Sequence, residues 1–297
     1  MKISVVTASY NYEAYIKETI ESVIAQTYTD WEMIIVDDGS KDSSVDVIKS
    51  YCNMDSRIKL FQHDGGVNKG LVETVKLGVE KATGEWIVFL ESDDTITPDY
   101  IETKLKIIET NPEVKFIFND VNMFGDEECI QFREEHFKKV KSILLNKKYP
   151  RNLLRFFYEL NVVATFSVVM LKKDLLKDID YNVEFKPLLD WYLWSQIAIN
   201  NDFYYLDKKL TNWRMHKNSY ISVRPTFEER NKWNMQLKNN WNKDKNLFPK
   251  FLNYFLYYKK NFLRIYFRRA EVCFLGNWYS FGKGKNEKET VSITIDR

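Results

Sequence analysis

Cysteine is scarce. Cys52, Cys129 and Cys273 lie far apart in 297 residues, with no C-x-x-C spacing. An odd, scattered set of thiols excludes a disulfide framework and a zinc site, and it fits a reducing, cytosolic setting. Long apolar runs are missing too. No 18-residue window is apolar and uncharged, so no helix is expected to span a bilayer. The opening M-K-I-S-V-V-T passes from a short apolar strand directly into polar chain, without the apolar length of a signal peptide. Charge of one sign is not in excess: 44 Lys and Arg against 42 Asp and Glu give a formal net charge of +2. That balance offers nothing to single out nucleic acid as a partner.

The most informative stretch is W-I-V-F-L-E-S-D-D, residues 86 to 94. Its unbroken apolar run fits a strand buried on both faces. Glu91, Asp93 and Asp94 follow at its C-terminal end, where open α/β sheets place ligands. Three carboxylates in four residues repel one another, and a hard divalent cation with oxygen ligands would hold them together. A solvated acidic turn is the other reading.

Upstream, strands are expected over 3–6, 31–36 and 58–62. Helices are expected from Tyr15 to Ile24, over 45–51 and over 71–82. Strand and helix alternate, which builds a parallel doubly wound sheet. Right-handed crossovers then gather residues 7–11, Asp37-Asp38 and residues 91–94 along one edge. Beyond residue 100, Pro98-Asp99-Tyr100 opens a helix to about Thr110, and 114–118 is a strand. Residues 119–150 read as an irregular, charged acceptor loop. Val162 to Leu171 reads as a strand lining an acceptor site, and 204–206 as another strand.

T-A-S-Y-N at 7–11, V-D-D-G-S at 36–40, A-T-G-E-W-I at 82–87 and E-S-D-D at 91–94 occur in order. Together they resemble inverting glycosyltransferase family 2, nucleotide-sugar enzymes of the GT-A fold. The resemblance is strong to about residue 100, weaker to about 222 and absent beyond. It implies an α/β fold with a mostly parallel, Rossmann-like sheet flanked by helices. It also implies a catalytic domain over 1–222, with a nucleotide-sugar half (1–100) and an acceptor half (101–222).

By this resemblance Thr7, Ser9 and Tyr10 meet the nucleotide base. Asp38 accepts a hydrogen bond from the ring N–H of uracil or thymine, a role open only to an acceptor. Glu91, Ser92, Asp93 and Asp94 match the segment that holds Mg²⁺ or Mn²⁺ against the diphosphate. Glu91 stands where Asp is more frequent and is assigned to the ribose or a supporting position; the metal goes to Asp93 or Asp94. Asp37 either shares the site or caps the turn.

L-L-D-W-Y-L-W at 188–194 resembles the stretch whose Asp is the catalytic base, which makes Asp190 that base. Trp213 to Ser219 resembles the segment that closes over the nucleotide; its His216 would meet the diphosphate or the metal, and Arg214 a phosphate or carboxylate. Two positions depart from the family pattern. Val75 replaces a frequent Arg, and Leu189 replaces Glu or Gln. The implied partners are a nucleoside-diphosphate sugar carrying UDP or dTDP and a saccharide or lipid-linked saccharide acceptor. The implied setting is bacterial surface polysaccharide or glycolipid synthesis.

Two other functions stay in view. Nucleotidyl transfer also uses a Rossmann-like sheet with acidic metal ligands, but it usually needs a Gly-rich loop after the first strand, and T-A-S-Y-N-Y has no glycine. A non-catalytic binding protein fits Val75 and Leu189, but not the retained Asp38, Asp93, Asp94 and Asp190. The tail, 223–297, reads as a helical extension. Lys260, Arg264 and Arg268 align with an aromatic stripe within 250–275, which suits either an anionic membrane surface or a cap on the catalytic domain. Residues 282–297 read as frayed. The expected location is cytoplasmic, or peripheral at the inner face of the cell membrane.

Overall fold

Short apolar runs that end at polar turns set the order of the first half. In the computed structural model these are β1 (Ile3–Ser9), α1 (Ile16–Ile24), β2 (Trp31–Asp37), α2 (Ser44–Met54), β3 (Ile58–Gln62), α3 (Leu71–Lys81) and β4 (Trp86–Phe89). The structure describes residues 1–145, 147–157, 161–183, 186–217, 228–229, 232–233 and 235–236, and the backbone of 270–274, 277–283 and 291–295. All seven residues of β2 are buried, as expected for a strand covered on both faces. β1 pairs in parallel with β2 and β4, and β2 with β3. Register sets Ser9 beside Asp37 and Val6 beside Phe89, so three motif-bearing loops leave the sheet at one edge. Ile16, Ile20 and Val23 of α1 join the same core as Ile3, Val5, Met33 and Val88.

The second half comprises β5 (Thr95–Ile96), α4 (Tyr100–Thr110), β6 (Phe116–Gly125), α5 (Glu127–Leu144), α6 (Leu154–Phe157), β7 (Val169–Lys172), α7 (Leu189–Ile197) and β8 (Tyr204–Met215). It extends the sheet to eight strands in the order β3-β2-β1-β4-β7-β6-β8-β5. β7 runs antiparallel to both β4 and β6, and β5 antiparallel to β8, while β6 and β8 are parallel. The sheet is therefore mostly parallel, with antiparallel pairs confined to those that the second half adds.

Three expectations need correction here. Residues 119–150 are not an irregular loop: β6 continues to Gly125, and α5 runs for 18 residues. Asp126 caps α5 by accepting from the Cys129 N–H, a Glu134–Lys138 pair supports one face, and Val140 and Leu144 bury another. The apolar run from 162 to 171 is not one strand, because a 3₁₀ turn at Phe166–Val168 precedes β7. The strand expected over 204–206 continues to Met215 and carries Trp213 and Arg214.

Met1–Trp241 forms one compact unit and Asn242–Arg297 a second. Within the second, β9 (Ala270–Phe274), β10 (Asn277–Lys283) and β11 (Val291–Ile295) make an antiparallel sheet. These segments are strands rather than the expected helix or frayed end. Residues 250–269 of the expected basic helix lie outside the described residues, as do Asn218 and Ser219. Among the described residues no helix is long and apolar enough to cross a membrane.

Candidate active site

The turn after β2 is held by its own sequence. Asp37 accepts from the N–H groups of Gly39 and Ser40 at 3.1 Å each, from the Ser40 hydroxyl, and from Nε2 of Gln62 at 3.1 Å. Its oxygens are spent on the turn, so the capping reading holds for this residue. Gly39 has φ +79°, and a Cβ there would lie 2.8 Å from the Gly66 carbonyl oxygen. Only glycine fits that backbone and that approach. The approaching loop delivers the N–H groups of Lys69 and Gly70 to Asp38, at 2.7 and 2.9 Å. Asp38 is thereby fixed at the rim of a cavity of about 440 Å³.

Ser9, Tyr10 and Asn68 line the same cavity. The Ser9 hydroxyl is buried and unpartnered among the described residues. Thr7 is fully buried in β1 and does not line the cavity. On α3, Val75 also lines the wall, while Lys76 pairs with Glu73 at the surface.

Past β4 the chain turns through Glu91, Ser92 and Asp93, all lining the cavity. Asp93 faces His216, with Oδ2 2.9 Å from Nε2. Tyr12 and Tyr15 flank the His216 ring at 6.4 and 5.3 Å between centroids. Burial and the nearby Asp93, Glu91 and Asp94 carboxylates push the Tyr12 phenol well up. Glu91 is raised above the usual carboxylate range by burial and by the Asp93 charge, although the Thr165 hydroxyl bonds to it.

Asp94 behaves differently from Asp93. One oxygen accepts from the Ser167 hydroxyl at 2.6 Å and the other from the Arg214 N–H at 2.9 Å. It is fully buried and does not line the cavity. Burial and the Asp93 and Glu91 charges raise its pKa. Of the two carboxylates the sequence offers for metal, Asp93 faces the cavity and Asp94 ties the acidic turn to its neighbours.

Asp190 sits in the first turn of α7, two residues after the Leu188 cap, and lines the cavity. Its carboxylate accepts from Nδ2 of Asn161 at 2.8 Å. Withdrawal from bulk water pushes its pKa up to about 6, against the Trp191 N–H, Asn161 and the Arg133 charge, which favour the ionised form. Leu189 and Pro187 line the wall beside it.

The site also uses residues that the sequence reading passes over. Ser167 donates to Asp94 and accepts from the Glu91 N–H at 3.0 Å. Tyr100 of α4 holds the carbonyls of Ser167 and Val169, and the buried Lys104 holds that of Val168 at 2.7 Å. Thr165 and Ser167 are polar residues alternating inside an apolar run, the one available sign that this segment carries more than core.

A metal fits this donor set. The Asp93 carboxylate lines the cavity with the His216 imidazole 2.9 Å from it, and no group of three His, Cys, Asp or Glu ligands gathers among the described residues. Few protein ligands, with substrate oxygens completing the shell, is how Mg²⁺ is commonly held on phosphates.

The sequence profile described as Glycosyl transferase family 2 matches residues 4–180. The chain belongs to this family. With EpsH of Bacillus subtilis it is 34% identical over 167 residues, 51% of this chain and 48% of that one, so it spans about half the length of that relative. Among solved structures, S. aureus TarS 1-349 in complex with UDP-GlcNAc superposes with a TM-score of 0.55 at 20% identity, covering 76% of this chain and 62% of TarS. The mannosyltransferase PcManGT from Pyrobaculum calidifontis, in complex with GDP-Man and Mn²⁺, gives a TM-score of 0.56 at 15% identity, covering 73% and 58%. This family 2 protein has the GT-A fold of those neighbours.

Proposed function

We propose that the protein transfers a sugar from a nucleoside-diphosphate donor to an acceptor hydroxyl, with inversion at the anomeric carbon. The observation that carries this reading is the meeting of Asp38, Asp93 and Asp190 around one cavity, with His216 2.9 Å from the Asp93 carboxylate. Asp38 would accept the ring N–H of uracil or thymine beside Ser9 and Tyr10. Asp93 and His216 would hold Mg²⁺ or Mn²⁺, which when bound offsets charge on the departing diphosphate. Glu91, close to both Asp93 and Asp190, would face the ribose or donor sugar. Asp190 would take the acceptor proton as oxygen attacks the anomeric carbon and the bond to the diphosphate breaks. The acceptor would be a saccharide or lipid-linked saccharide of a bacterial surface polymer, as the family resemblance suggests.

Incubation with UDP-, dTDP-, GDP- and ADP-sugars and Mn²⁺ tests the reading, with free nucleoside diphosphate as the readout. We expect release from a UDP- or dTDP-sugar, accelerated by a saccharide acceptor. Binding without release under every acceptor would leave only a sugar-nucleotide binding protein. Preference for GDP-sugars would overturn the role of Asp38.

The Asp190 environment adds a pH prediction. A base works only when deprotonated, so kcat/KM should rise with pH on an acid limb centred near the raised value of about 6. Asn161 stabilises the ionised carboxylate. Removing a hydrogen bond to a charged group, worth about 1.5 kcal/mol, should move that limb up by roughly one pH unit in Asn161→Leu. An unmoved limb would mean that Asp190 is not the titrating base.

A further inference from the structure

Arg214 is expected from its motif to pair with a phosphate or carboxylate, and the carboxylate it meets is that of Glu18. Nε donates to the main-chain carbonyl of Asp93 at 2.9 Å, and Nη2 to the Glu18 carboxylate of α1 at 2.5 Å. The guanidinium lies 4.8 Å over the Tyr15 ring and 4.5 Å over the Phe124 ring, and the side chain is only 15% exposed. Its main-chain N–H meets Asp94. α1 adds a further hold, because the Thr19 hydroxyl donates to the Asp94 carbonyl at 2.8 Å. The acidic turn is thus gripped from β8 and from α1, while the Asp93 carboxylate remains directed at His216.

We propose that Arg214 is a positioning residue which, by clamping the Asp93 carbonyl against Glu18 of α1, fixes the Asp93 carboxylate opposite His216 and so sets the affinity for a divalent cation without touching it. The inference rests on the donor and metal reading above. The geometry calls for a guanidinium specifically. Two donors point to acceptors on different elements while the flat group stacks between two rings. A lysine ammonium is a point charge on a flexible stem and cannot reproduce that fork. Partners that orient metal ligands commonly change metal affinity 10- to 100-fold when removed.

The test uses the full chain with saturating UDP. Free Mn²⁺ is followed by its electron paramagnetic resonance signal, and UDP affinity in EDTA is measured by calorimetry. Arg214→Met should weaken Mn²⁺ binding by about 10²-fold and Arg214→Lys by about 10-fold, with UDP affinity in EDTA nearly unchanged. Arg57→Met is the control: Arg57 pairs with Asp55 and stacks on Trp31, away from the acidic turn. It should lower the melting temperature and leave Mn²⁺ affinity unaltered. If Arg214→Met does not fold, Arg214→Lys decides. Wild-type Mn²⁺ affinity in Arg214→Lys, or an equal loss in Arg57→Met, overturns the proposal. Wild-type protein that binds UDP in EDTA yet gains nothing from Mn²⁺ overturns the metal reading itself, and the positioning role with it.

Discussion

Asp190→Asn should cut turnover by about 10²-fold or more while leaving donor affinity near that of the wild type. The substitution keeps the shape of the side chain and removes its capacity to take a proton. Asn161 donates to the carboxylate at 2.8 Å, and the surviving amide oxygen can accept the same bond, so the local packing should hold. Steady-state kinetics alongside donor titration separates the two effects. A fall in kcat at constant donor affinity marks an interaction made only in the transition state. Equal losses in both would point to a collapsed pocket, and wild-type turnover would remove Asp190 from the chemistry.

Asp93→Ala should have an effect of similar size through a different route. Asp93 lines the cavity, and its side-chain partner is His216. Loss of several kcal/mol of charge stabilisation on the departing diphosphate corresponds to a rate reduction of more than about 10²-fold. The variant should melt close to wild type, because the side chain of Asp94, not that of Asp93, carries bonds to Ser167 and Arg214, and the Arg214 bond to the Asp93 carbonyl does not need the Asp93 side chain. It should also lose the difference between Mn²⁺ and EDTA in UDP binding. An Asp93→Ala protein that still binds UDP more tightly with Mn²⁺ would move the metal to another residue.

Much of this site is legible in the sequence because it hangs on short connections. β1, β2 and β4 are apolar runs that stop at polar residues, and parallel pairing brings those stops to one edge. That rule places residues 7–11, Asp37-Asp38 and residues 91–94 together, and the family resemblance picks out Ser9, Asp38 and the Asp93-Asp94 pair among them. What escapes is set by contacts distant in sequence. Asp93 and Asp94 are adjacent and chemically alike, yet they part company because Ser167 and Arg214 arrive from 73 and 120 residues away. Residues 119–150 read as loop because their charge is dense. Their helix depends on an Asp126 cap and an apolar stripe narrow enough to be masked by Lys and Glu. For Arg214 the motif suggests a phosphate or carboxylate partner but does not name Glu18, Tyr15 and Phe124, which take up its charge and its flat faces.

A nucleoside diphosphate held between Asp38 and the Asp93–His216 pair should be visible in crystals grown with UDP and Mn²⁺ and measured at the manganese edge. We expect an anomalous peak at bonding distance from the Asp93 carboxylate and Nε2 of His216, with the uracil ring N–H on Asp38. A peak away from Asp93, or a uracil ring out of reach of Asp38, would contradict that placement.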